Sequence, residues 1–191
     1  MKGKNSMTKK VNVELIENFL VVWNTRQGSE LYRQGFYGKP IGIAKPKMPE
    51  FNVPLVLDLM EGMYLLEKRV ISVHEGPEGK KVGIRKLRKM AKQLYEEFDE
   101  KYGVYRHLRD SGLVVTPGIK FGCDFAVYKH GPGVEHAPYM VSVRRSESEM
   151  TATEIVKAGR LATTVRKRFI IAVRDIEKDR IRYLIFRWFR A

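Results

Sequence analysis

Apolar residues recur along this chain at two periods, and the change from one to the other marks out its elements. Leu87, Met90, Leu94 and Phe98 lie three or four residues apart, which predicts one charged helix over 84–102 with a single buried face. The segment 53–67 also carries apolar residues at helical spacing and reads as a buried helix. Ile155, Ala158, Leu161, Ala162 and Val165 form a third stripe. It follows a Thr151-x-x-Glu154 capping box and predicts a helix to about Lys167. Short helices are expected over 30–35 and 105–112, each closed by glycine. The β-rich end of 12–23 and the short apolar runs 70–73, 113–116, 121–128, 139–143, 169–173 and 181–188 read as strands. Residues 75–81 form a polar loop. The pattern predicts an α/β (α+β) chain of two small domains. A mixed N-terminal domain spans 1–98, its first ten residues a disordered basic tail. A C-terminal domain spans 99–191, with a mixed sheet flanked by helices.

Composition narrows the class. Hydrophobic residues make up 43% of 191, enough for a packed core. Thirty-six lysines and arginines against 22 acids give a net charge of +14, which points to a polyanionic partner. No apolar run approaches the ~20 residues of a spanning helix, and the polar N-terminus does not read as a secretion signal. Cys123 is the single cysteine, so neither an internal disulfide nor a cysteine metal cluster is possible. A reducing cytoplasm is the expected location.

Three side chains stand out chemically. Alternation puts Asp124, Ala126 and Tyr128 on one strand face and Phe121, Cys123, Phe125 and Val127 in the core. Tyr128 ends that strand, and His136 lies across a short glycine-rich turn. Arg160 and Lys167, seven apart, share a helix face. A phenol, an imidazole and an ammonium can supply a base, an acid and a fixed positive charge. That set suffices to cleave an RNA phosphodiester at its own 2′-hydroxyl without a metal or cofactor. Singly, each has a structural explanation: packing for the tyrosine, a solvated turn for the histidine, a helix dipole for the lysine. Their combination and order carry the expectation.

That order resembles the catalytic subunit of archaeal tRNA-splicing endonuclease. The resemblance is densest from Tyr105 to Lys167, in the segments Tyr105–Tyr128, Glu135-His-Ala-Pro-Tyr-Met-Val-Ser-Val143 and Arg160-Leu-Ala-Thr-Thr-Val-Arg-Lys167. It implies a restriction-endonuclease-like C-terminal domain. It implies Tyr128 as general base, His136 as general acid and Lys167 as stabiliser of the transition state, with His130 a rival acid because the turn is short. The substrate would be precursor tRNA, cut at both exon–intron junctions of a bulge-helix-bulge to leave 2′,3′-cyclic phosphate and 5′-hydroxyl ends. Arg160 and Arg182 resemble two arginines that clamp a bulged base. Asp175, Glu177 and Asp179 resemble an acidic loop that docks on another subunit of a homotetramer or of a heterotetramer with a structural partner. The 75–81 loop resembles an insertion that broadens substrate choice. Two alternatives remain: a metal-dependent nuclease, for which Asp124 lacks an obvious Glu-x-Lys partner, and a noncatalytic RNA-binding or scaffold subunit.

Overall fold

The computed structural model describes residues 10–44, 46, 48–76, 79–164 and 168–186. The tail expected over 1–10, apart from Lys10, lies outside them. So do Lys167, residues 77 and 78 of the polar loop, and residues 187 and 188 of the last expected strand. The chain divides into two compact units between Leu94 and Tyr95.

The first unit contains β1 (Val11–Ile16), β2 (Phe19–Val22), α1 (Thr25–Gly35), β3 (Lys39–Pro40), β4 (Leu55–Leu57), α2 (Leu59–Glu67), β5 (Ile71–Glu75), β6 (Lys81–Val82) and α3 (Ile84–Leu94). Its sheet runs β3-β4-β2-β1-β5-β6, with β1 and β5 parallel and the other pairs antiparallel. Asn24 caps α1, accepting from the Gln27 amide. Asp58 and Glu61 cap α2 reciprocally, and buried Glu61 also accepts the Gly38 amide at 2.9 Å.

Two expected helices are redrawn here. The run 53–67 starts as strand, because Leu55 and Leu57 pair with β2 before the Asp58 cap starts the helix. A short apolar run does not by its period distinguish a buried strand from a buried helix. The charged helix over 84–102 is two helices. It stops at Leu94 and resumes at Phe98 after Glu97 adopts a left-handed backbone, φ 53°. Leu94 is 51% exposed and Phe98 3% exposed, so the two do not share a buried face.

The second unit opens with α4 (Phe98–Asp110), which absorbs the short helix expected over 105–112. There follow β7 (Val114–Pro117), a 3-10 turn (Ile119–Phe121), β8 (Phe125–Tyr128), β9 (Tyr139–Arg145), α5 (Ala152–Thr164), β10 (Arg168–Asp175) and β11 (Arg180–Phe186). The sheet order is β11-β10-β9-β8-β7. Only β9 and β10 are parallel, and a parallel pair needs a crossover, which α5 supplies.

Helices cover both faces of this sheet. On the α4 face the Tyr105 ring meets Phe125 at 5.9 Å and the His107 ring meets Tyr183 at 5.7 Å. On the other face Cys123, Ala126, Ala137, Met140, Phe169 and Ile171 form one cluster, and an Arg144–Glu154 pair at 3.6 Å ties the start of α5 to the sheet. Burial on both sides explains why Ala126 is as inaccessible as Phe125 and Val127, whereas alternation reserved the core for the latter two. The strand expected over 121–128 begins only at Phe125, because the chain first makes the 3-10 turn, ended by Gly122 at φ 67°.

Two measurements check this packing. A Cβ on Gly118 would lie 2.8 Å from both the Cys123 carbonyl oxygen and the Phe125 carbonyl carbon. Because backbone cannot step aside cheaply, Gly118→Ala is expected to destabilise the second unit by about 1–3 kcal/mol in thermal or denaturant unfolding. Burial pushes the Tyr183 phenol up to about 12 from 10.0, partly opposed by Arg174. The unfolded chain therefore loses this proton first, and stability should fall as pH rises from 10 towards 12. Tyr183→Phe should flatten that part of the stability–pH curve.

Candidate active site

Two strand pairings decide where the candidate groups lie. β8 runs antiparallel to β9 with Val127 opposite Tyr139, so Tyr128 ends its strand where β9 begins. β9 and β10 run in parallel register from Tyr139↔Arg168, so β10 begins at the same edge. The Arg168 amide donates to the Pro138 carbonyl at 3.0 Å. Tyr128, the segment 136–138 and Arg168 therefore share one rim. Arg168 is the residue that follows Lys167, which itself lies outside the described residues. Tyr128 is half-buried, packed on the cluster of the α5 face, whereas His136 and His130 are exposed.

The turn between Tyr128 and His136 is closed by a carboxylate. Glu135 Oε1 accepts the backbone N–H groups of Lys129 at 2.5 Å and His130 at 2.6 Å. The Val134 and Glu135 amides in turn both donate to the Gly131 carbonyl, at 3.3 and 3.2 Å. Gly131 (φ 125°) and Gly133 (φ 90°) hold backbone conformations closed to most other residues. Hydrogen bonding from the His130 amide, above all, holds the Glu135 carboxyl below its ordinary value. Glu135 thus ties the residue after Tyr128 to the residue before His136. Nothing in the sequence pattern singled it out; an acid two residues after Gly-Pro-Gly was the available signal.

Other site residues lie at different distances from this rim. Arg160 is exposed on α5, four residues before the helix ends at Thr164, about 6 Å along the axis. The helix leads into β10 and hence to the rim. Arg182 is exposed on β11 opposite Val173. It shares the sheet face of Tyr128 but lies towards the far end of the strands, roughly 25 Å away at ~3.3 Å per residue and ~4.8 Å per strand. Within one chain it does not meet Tyr128. Asp175, Glu177 and Asp179 occupy the β10–β11 hairpin at that far end. Asp179 pairs with Arg174, which holds its carboxyl below the usual value, and Asp175 accepts the Lys178 amide at 3.0 Å. Glu177 is exposed near the tip.

Asp124 has structural partners for both oxygens. Oδ1 lies 3.0 Å from Lys101 Nζ, and Oδ2 accepts the Val143 amide at 2.8 Å. Among the described residues no group of three or more His, Cys, Asp or Glu is arranged to hold a metal ion, and no helix is long and apolar enough to cross a membrane.

The carboxylate closure predicts a local effect. Glu135→Ala should speed hydrogen exchange at the Lys129 and His130 amides by an order of magnitude or more, with the Glu135→Gln amide oxygen restoring part of the protection. Because the folded carboxyl titrates below its unfolded value, the same protection should hold at neutral pH and fade as pH falls through the folded value.

Comparison with known proteins identifies the family. A family model described as tRNA intron endonuclease, N-terminal domain, matches residues 11–88, and one described as tRNA intron endonuclease, catalytic C-terminal domain, matches residues 98–183. A tRNA-splicing endonuclease of Hyperthermus butylicus is 46% identical over 168 residues, covering 88% of this chain and 92% of the relative. Similar proteins of the same description occur in Sulfurisphaera tokodaii, 38% identical over 93% of this chain and 98% of the relative, and in Saccharolobus islandicus, with the same identity and coverage. With both units matched and relatives aligned almost end to end, the chain belongs to the tRNA intron endonuclease family of archaea.

Proposed function

We propose that the chain cleaves precursor tRNA at exon–intron junctions within a bulge-helix-bulge, with Tyr128, His136 and Lys167 as the reacting set. The observation that carries this reading is the convergence of the β8 end, the start of β9 and the start of β10 on one rim. The Tyr128 phenolate takes the proton of the ribose 2′-hydroxyl, and the freed oxygen attacks the adjacent phosphorus. The bond from phosphorus to the 5′-oxygen breaks, and His136 gives that oxygen its proton. Lys167 holds the negative charge that builds on the phosphoryl oxygens. Atoms balance without water: the products are a 2′,3′-cyclic phosphate and a 5′-hydroxyl.

His136 is favoured over His130 as the acid. It lies two residues before Pro138, whose carbonyl accepts the amide of Arg168 at the start of β10. No metal or cofactor has a step in this scheme, and Asp124, the carboxylate a metal-dependent route would recruit, is occupied by Lys101 and the Val143 amide.

Arg160 and Arg182 clamp a bulged base in this scheme, the flat guanidinium providing both a stacking surface and a charge. Arg182 lies too far from Tyr128 in its own chain to serve the same cut, so it acts at a site completed by another subunit. That requirement supports an assembly, a homotetramer or a heterotetramer with a structural partner, in which the hairpin of Asp175, Glu177 and Asp179 docks on a basic surface. A single buried cysteine suits a reducing cytoplasm.

His136→Ala, assayed with an intron-containing precursor tRNA in the presence of chelator, is expected to lose at least 100-fold in single-turnover cleavage while binding RNA within a few-fold of the parent. Tyr128→Phe should behave alike. Unaltered cleavage by the histidine variant rejects the assigned acid, and loss of parental activity in chelator rejects the metal-free route.

A further inference from the structure

The first unit carries a feature that the cleavage chemistry does not use. From Gly79 to Tyr95 the chain holds seven cations, Lys80, Lys81, Arg85, Lys86, Arg88, Lys89 and Lys92, and no acid. Five of the seven lie on α3. Arg85, Arg88, Lys89 and Lys92 stand at i, i+3, i+4 and i+7, which places them on one stripe ~10 Å long. That stripe is opposite the buried Leu87 and Ala91, and all four residues are exposed.

This arrangement works against the helix itself. Like charges three and four residues apart repel. Arg85 and Lys86 also lie in the first turn, where the helix dipole favours acids, and no acid is present there. Lys86 is offset by an ion pair with Glu75, whereas among the described residues no ion pair holds Arg85 or Lys89. A row of exposed cations on one helix face, two of them held by no ion pair, is complementary to a row of phosphates.

We propose that the outer face of α3 is a second RNA-binding surface, which takes the phosphate backbone of the precursor tRNA independently of its sequence. The inference rests on the reading of the substrate given above and adds a contact from the unit that holds neither Tyr128 nor His136. Guanidinium and ammonium groups grip phosphate oxygens, and counterions released from the RNA supply much of the affinity. This contact reads no bases; it adds affinity that the reacting rim need not supply.

The test compares the full chain, with its partner subunit if cleavage requires one, with Arg85→Gln/Lys89→Gln and with the charge-preserving Arg85→Lys/Lys89→Arg. The probe is an intron-containing precursor tRNA, with Kd measured by filter binding from about 50 to 300 mM salt. The glutamine pair should raise Kd about 5- to 20-fold at 150 mM salt and flatten the slope of log K against log salt by about 1 to 2. The loss should fall on Kd rather than on the single-turnover rate constant, and the charge-preserving pair should restore both Kd and slope. An unchanged Kd and slope overturn the proposal. So does a drop in assembly mass by light scattering, which would assign the stripe to a protein subunit instead. Binding is read without cleavage, so His136→Ala run alongside separates the two claims: cleavage by that variant defeats the catalytic assignment, while an RNA affinity indifferent to α3 defeats this one.

Discussion

The parallel pairing of β9 with β10 is the constraint on which the catalytic unit depends. Its register, Tyr139↔Arg168 through Arg145↔Arg174, makes both strands start at one edge of the sheet. A chain cannot return to the start of a neighbouring strand without a crossover, so α5 must cover one sheet face and deliver its end to that edge. The antiparallel pairing of β8 with β9 then brings Tyr128 to the same edge. Two backbone ladders, with no contribution from the reacting side chains, thus gather three sequence segments 30 to 40 residues apart at their extremes. Packing secures the arrangement: Met140, Phe169 and Ile171 sit in one cluster with Ala126, and Tyr128 leans on it.

The sequence shows this unit more clearly than the first one. The Thr151–Glu154 capping box is present in full: the Thr151 hydroxyl accepts the Glu154 amide at 3.2 Å and the Glu154 carboxylate accepts the Thr151 amide at 2.9 Å. A local motif of that kind is legible because all its partners lie within one turn. The break between α3 and α4 was not legible. Glu97 takes a left-handed backbone with no glycine or proline to announce it, and the apolar spacing runs through the break undisturbed. The division of 53–67 into β4 and α2 was hidden for another reason. Burial of the strand depends on pairing with β2, some 35 residues earlier in the chain.

Site residues divide along the same line. Tyr128 and His136 could be found because a strand end and a turn are local features. Glu135 was missed because its role arises from amides five and six residues back, which come within reach only once Gly131 and Gly133 turn the chain. Arg182 could be named but not placed. Its strand was visible, yet its distance from Tyr128 follows from the Val173↔Arg182 register and the order of strands, neither of which a run of alternating residues encodes.

Charge is also allocated unevenly between the two units. On the α4 face of the catalytic sheet, cations are committed to the fold. Buried Arg109 donates to Tyr105 and to the Val115 carbonyl, Arg145 lies 2.9 Å from Glu100 and 3.3 Å from Glu97, and Arg174 holds Asp179. The β10–β11 hairpin from Arg174 to Arg180 contains three acids and three cations and is neutral as a whole. Its acids are therefore not a free negative patch; only a partner that outcompetes Arg174 and Lys178 would feel them fully. The excess of +14 has to reside elsewhere, and the acid-free run 79–95 holds seven cations, half of that number, of which Lys86 pairs with Glu75 while Arg85 and Lys89 are held by no ion pair among the described residues. Exposed charges of this kind act over about a Debye length, ~8 Å at physiological salt. A polyanion must lie against α3 to be held by it, so affinity drawn from this surface depends on close contact and weakens with salt.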